Sequence, residues 1–524
     1  MARSRLFSAL RRSALLALGA QRRGVPAREH AEERRAAFAA TRREFIRRSA
    51  ATAGVLVVGA QLPFLAACGS EDVRSPGTAS IAIVGGGMAG LMCARSLEAA
   101  GRRATIFEAQ KRTGGRMWSA RGRFPAEQVV ELGGELIDTE HMIMRSLAGE
   151  LGLTLDDFLE YDREVKAEVF YFEGRVVSED EFLDSWASLA ARIVADLGAS
   201  EASSAEFERL DAMSIADWLD DVSDLDPTFR RIIEVAYTGE YGAELEQQTA
   251  LNFLWLVGSD DPDDFVIFGS SDERFHTHQG NDSFPAKVAE GLKSELRLEE
   301  RLVRMRKLPD GRHQLTFDRA GSATEHIFDK VVLTLPWTLL REVDFGDAIS
   351  AEKARMIREL GYGTNAKLML GFESRPWRTL HGAAGSTFCD NGPQTLWETS
   401  RGQAGAQGIL TVFTGGAEGL AVGQGTPEAR ARAYLPALDA IYPGTQAAYR
   451  ADSAVRMHWP TFDLAKGSYS CLQPGQGAWL ERIGERDGNL LFAGEHTSAD
   501  FQGYMEGAAE SGIRAAEALL ADEV

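Results

Sequence analysis

The stretch SIAIVGGGMAG, residues 80–90, constrains this chain more than any other. A short apolar run, residues 80–84, meets three consecutive glycines, and LMCARSLEAAG then carries a helical pattern to Gly101. Gly85, Gly87 and Gly90 fit GxGxxG. Their lack of side chains permits a tight turn and close approach of a pyrophosphate to a helix N-terminus. The next strand, ATIFEA, contains Glu108, eighteen residues after Gly90 and placed to meet an adenosine ribose. Strand, turn, helix, strand and acid arrive in the order that a dinucleotide site requires. The expected fold class is therefore α/β, with a Rossmann-like unit at residue 80.

Further segments extend this site. KRTGGRMWS supplies Gly114, Gly115 and the cation Arg116, and ELGGELID follows at residues 131–138 with Gly133 and Gly134. Some 350 residues later NLLFAGEHTS reads as a strand running into Gly494 and Glu495, and a last helix opens near Tyr504 in GYMEGAAESGIRAAEALL. A strand, an acid and a helix N-terminus this far from the first βαβ unit imply a cofactor domain closed by the end of the chain. A cofactor as long as FAD needs contacts of this kind.

The leader has a different character. Residues 1–67 hold thirteen Arg and four Glu, a net charge of +9; the remainder holds 44 basic and 73 acidic residues, a net of −29. An acidic body of this size repels nucleic acid and favours cationic solutes. TRREFIRRS places Arg42 and Arg43 before the apolar run of residues 50–67, the pattern of a twin-arginine export signal. That run ends LAAC, which reads as a lipoprotein processing box with Cys68 acylated; a single membrane anchor is the alternative. The Arg-rich part before Thr41 points to a start codon placed too early, and residues 68–79 read as a polar tether. The expected location is the periplasm or cell envelope. Cysteines at 68, 93, 389 and 471 form neither a disulfide framework nor a zinc motif. His276 and His278 fall on one face of a strand without a third ligand, so no metal is expected.

Taken together, GGGMAG…E, GGR, ELGG, the strand GYGTNAKLMLGF, GSY and GEHTSADFQGYMEGA resemble the flavin-containing amine oxidase family, with monoamine oxidases as nearest analogue. The resemblance runs from about residue 80 to 520 and is looser between 150 and 270. It implies an FAD-binding domain built from residues 80–140, 272–340 and 456–522. Interleaved with it would be an α+β substrate domain, a mixed sheet plus helices, from 141–271 and 341–455. Residues 140–260 read as largely helical, and ERLVRMRKLPDGRHQLTFD as a hairpin.

By alternation alone Lys367 is a solvent-facing strand residue. The resemblance instead sets it against flavin N5, with Tyr469 and Tyr504 as aromatic walls, a pair whose alternative role is packing. The same resemblance implies cofactor contacts from Gly85, Gly87, Gly90, Glu108, Arg116, Gly133, Gly134, Val303 at the adenine, Glu495, and the Met505 backbone. Ser468 stands where some monoamine oxidases carry the cysteine that attaches FAD, which implies non-covalent FAD. Asp138 matches an acidic tunnel residue of polyamine oxidases, or is a helix N-cap. The residues after ELGGELID show no clear match to the carboxylate-binding arginine of amino-acid oxidases; Arg145 is the one candidate, in a helical segment, MIMRSL, that favours a surface role.

The implied reaction is hydride transfer from the carbon beside a deprotonated primary or secondary amine to flavin N5. The resulting imine is hydrolysed, and electrons pass to O2 to give H2O2, or to a cytochrome or quinone. L-amino-acid or polyamine oxidation is the alternative. Expected partners are a small-molecule amine, an electron acceptor, a membrane tether through Cys68 and a second copy in a homodimer, but no nucleic acid.

Overall fold

The computed structural model describes residues 79–257, 272–480 and 482–522. The leader, its arginine pair, Cys68 and nearly all of the tether lie outside the described residues.

Strand Ile81–Val84 sits at the centre of a five-stranded parallel sheet, in the order Leu490–Phe492, Lys330–Leu333, Ile81–Val84, Thr105–Glu108, Glu295–Leu298. All four of its residues are buried, because both faces of the sheet are covered. Side chains alternate across a strand. Ile81 and Ile83 thus pack with the helices Met88–Ala99 and Met505–Ala521. Ala82 and Val84 face the other way, onto an antiparallel meander of Arg301–Lys307, His313–Arg319 and Ser322–Phe328. Phe107 of the sheet stacks on Phe317 of the meander at 4.0 Å between ring centres. The expected hairpin is the first two strands of this meander. The first βαβ unit, the middle of the chain and its C-terminal strand and helix thus share one layered unit.

A second, seven-stranded mixed sheet has the order Val455–His458, Ala366–Phe372, Gly408–Thr414, Thr395–Glu398, Ala383–Cys389, Lys166–Phe172, Arg175–Val176. The described part of residues 140–260 is largely helical, as its pattern suggests, but it also supplies an unexpected strand, Lys166–Phe172, which pairs in parallel with Ala383–Cys389. The rest of that region does carry helices, among them Glu179–Ala202 and Pro227–Tyr241, around a core containing Trp186 and Trp218. Among the described residues no helix is long and apolar enough to cross a membrane.

Candidate active site

The carboxyl ends of the parallel strands open onto a cavity lined by Gly85, Gly87, Glu108, Arg116, Gly134, Glu495, Tyr504 and Met505 among others. Ligands of open α/β sheets sit at this edge. The glycine turn has a geometric cause. Gly85 lies at φ +117°, and a Cβ on Gly90 would stand 2.0 Å from the Gly85 carbonyl oxygen. Gly87 differs, because an added Cβ there would meet nothing within 4 Å. Gly87 is also the N-cap of helix Met88–Ala99 and offers no side-chain acceptor, so the first backbone N–H groups of that helix are open to an anion.

Glu108 is held at the rim, its carboxylate accepting from the Gly86 and Gln110 amides at 2.8 and 2.7 Å. Burial pushes its carboxyl above the ordinary range, although these bonds and Arg112 oppose the shift. A second cavity is lined by Val303, Glu300 and Phe107 and shares Ala109, Leu335, Leu339 and Leu464 with the first. The two give one elongated site. An acid, an unfilled glycine cradle and an uncapped helix N-terminus are the donor and acceptor set that fits a dinucleotide such as FAD.

At the other end, Arg116 donates to the Ser468 carbonyl at 2.7 Å and to Glu495 Oε1 at 3.0 Å. Glu495 also accepts from the Ser470 amide and hydroxyl and from the Gly503 amide. Burial opposes ionisation of Glu495, yet Arg116, His496 and Ser470 together hold its carboxyl below the usual range. Gly133 and Gly134 allow close packing: a Cβ on the first would lie 1.7 Å from the Arg116 carbonyl oxygen, and one on the second 2.9 Å from Met505 Sδ. Tyr504 is the N-cap of helix Met505–Ala521 and is 5% exposed, as is Tyr469. The Tyr469 hydroxyl donates to the Gly239 and Glu240 carbonyls, which fixes its ring.

Lys367 is 1% exposed, so the solvent-facing reading from alternation does not hold. Every residue of strand Ala366–Phe372 is buried, because both faces of its sheet are covered. The Lys367 ammonium donates to Glu131 O at 3.2 Å, Gly133 O at 2.8 Å and Glu135 Oε2 at 2.6 Å. Glu135 was not singled out in the sequence. The need of a buried lysine for a counter-ion was the signal that could have found it.

Asp138 is not a helix N-cap: the helix is Met142–Leu151 and its N-cap residue is His141. Asp138 is buried, accepting from the Glu273 amide at 2.8 Å and lying 3.5 Å from His141 Nε2. His141, also unpredicted, meets the Tyr504 ring edge-on at 4.8 Å. His276 and His278 do not act as a pair. His276 is buried 3.1 Å from Glu131 Oε1, whereas the exposed His278 meets Asp156 at 2.9 Å. Ser468 donates to Asn365 Oδ1 at 2.6 Å. Arg145 donates to the Thr139 carbonyl and lies over the Phe275 ring.

Fold and site together define a dinucleotide-binding flavoprotein. Residues 88–520 match the family model "Flavin containing amine oxidoreductase", and the chain belongs to that family. It is thus an FAD-dependent amine oxidoreductase. The chain is similar to an L-amino-acid oxidase of Siganus canaliculatus, 25% identical over 462 residues, which cover 83% of this chain and 84% of that protein. In fold it is similar to putrescine oxidase bound to putrescine, with a TM-score of 0.71, 20% identity, and coverage of 84% of this chain and 99% of that one. It is likewise similar to cyclohexylamine oxidase from Brevibacterium oxydans IH-35A, with a TM-score of 0.71, 21% identity, and coverage of 85% and 99%.

Proposed function

We propose that this chain oxidises a primary or secondary amine that carries no carboxylate. Bound FAD supplies the hydride acceptor for the carbon beside the amine nitrogen. The protein's part is to bind and orient the amine and to exclude water. Tyr469 and Tyr504 are the aromatic walls of the amine site, and their ring faces suit an ammonium on approach and an apolar amine once deprotonated.

One observation carries the choice of substrate. Among the described residues, the cations at the flavin end are already matched by protein carboxylates, Arg116 by Glu495 and Lys367 by Glu135. A substrate carboxylate would enter without a counter-ion, at a cost of several kcal/mol. Arg145 is engaged by a carbonyl, and Asp138 is buried and holds the Glu273 amide. Ser468 cannot form a thioether, and the buried Cys471 has its thiol pushed up by burial, which supports non-covalent FAD. Residues 41–68 support export by the twin-arginine route, with Cys68 as a lipid anchor.

The test is anaerobic reduction of the purified flavoprotein by four panels: monoamines, secondary amines, diamines and α-amino acids. Bleaching by monoamines or secondary amines is expected. Bleaching by α-amino acids alone would overturn the proposal. Reoxidation by O2, compared with an artificial quinone, identifies the acceptor class.

A further inference from the structure

The Lys367 ammonium has three N–H donors, and all three end on protein oxygens: Glu131 O, Gly133 O and Glu135 Oε2. Glu135 is as fully committed. Its second oxygen accepts from Trp397 Nε1 at 2.7 Å and from Thr399 Oγ1 at 3.2 Å. Both side chains are 2% exposed, and the Trp397 ring centre lies 5.3 Å from the ammonium. Burial alone would raise the Glu135 carboxyl, but Lys367, His276 and Trp397 hold it below its ordinary value. Gly134, between Gly133 and Glu135, two of the three residues that Lys367 grips, lines the cavity against Met505. A dehydrated, charge-neutral pair therefore stands immediately behind the wall of the flavin end.

We propose that Glu135 is a positioning residue that balances the charge of Lys367 and thereby sets the reduction potential of the bound flavin. A lone buried ammonium behind this wall would favour the electron-rich reduced cofactor; paired with a carboxylate it presents only a dipole. The proposal rests on the flavin-dependent reading above but not on any choice of amine.

The experiment titrates the bound flavin against a reference dye, without amine, in the wild type, Glu135→Gln, Lys367→Met and the double variant. Glu135→Gln is expected to raise the reduced-to-oxidised ratio at a fixed potential about tenfold, equivalent to about 30 mV for a two-electron couple. The double variant is expected to return to within about threefold of wild type, because coupled charges cancel in a double-mutant cycle. An unchanged ratio in Glu135→Gln, or a double variant shifted as far as the single, overturns the proposal. Should Glu135→Gln fail to fold, removal of both charges must restore folding and flavin binding. A double variant that fails equally overturns it too. Because no amine is present, a wrong substrate assignment leaves this result unaffected.

Discussion

Arg116 and Glu495, 379 positions apart in the chain, meet at 3.0 Å in the wall of the cavity. Their pair ties the second glycine turn, Gly114-Gly115, to the segment that follows the last strand of the parallel sheet. Glu495→Gln keeps the shape but leaves Arg116 without its charge partner. A loss of about 3 kcal/mol in unfolding free energy is expected, discounted toward ~2 for the partial exposure of the arginine. The acid limb should change with it. The folded Glu495 carboxyl lies below its unfolded value of about 4.3. Its contribution is therefore full above that value and lost as pH falls through the lower folded one. Urea midpoints against pH, for wild type and Glu495→Gln, would show the gap closing at the acid end. A constant gap would mean that the carboxylate charge is not what matters.

Gly90 and Gly87 should fail differently. A Cβ on Gly90 collides with the Gly85 carbonyl, so Gly90→Ala strains the turn itself, by about 1–3 kcal/mol. A Cβ on Gly87 meets only open space, so Gly87→Ala should keep its unfolding midpoint within ~0.5 kcal/mol. It should nonetheless reduce FAD content, because the methyl group occupies the cradle. The ratio of absorbance at 450 nm to that at 280 nm, beside an unfolding curve of the apoprotein, separates the two effects.

Release of flavin by acid tests the attachment. Ser468 is bonded to Asn365, and Cys471 is buried with its thiol directed at the Leu472 carbonyl. Precipitation with acid should leave the yellow colour in the supernatant, and Cys471→Ser should not alter this. A yellow pellet from the wild type would contradict non-covalent binding.

Lys367 shows how far the sequence was readable. Its strand and neighbours were legible from alternation, but its surroundings were not. The rule that one face of a strand is wet fails when both faces of a sheet are covered, as along Ala366–Phe372. Its counter-ion lies 232 positions away, on ELGGELID. That segment was noticed for its glycines because glycine spacing is local, whereas charge pairing is not. Lys166–Phe172 was missed for the same kind of reason. Its KAEVFYF pattern has exposed and buried ends, and only pairing with Ala383–Cys389 makes it a strand. Both ends of the dinucleotide site could be read because turn, helix start and acid are specified by neighbours in the chain.

His496, in the GEHTS segment, gives the protein a pH dependence separate from that of its carboxylates. The ring is fully buried against Trp337, and neither nitrogen has a protein hydrogen-bond partner. Burial lowers its imidazole to about 4, with Glu495 opposing the shift. The unfolded ring titrates near 6.5, so between about 4 and 6.5 the unfolded chain binds the additional proton. Stability contributed by the neutral ring is therefore complete above ~6.5 and falls as pH drops toward about 4. A shift of that size corresponds to about 3 kcal/mol. His496→Leu should flatten this limb, while Arg116 and Ser470 still favour the ionised Glu495 and preserve an acid-end transition. Between pH 7 and about 4 the unfolding free energy of wild type should fall by about 3 kcal/mol relative to that of His496→Leu. Parallel curves across that range would mean that the ring is already hydrogen-bonded or charged in the folded protein.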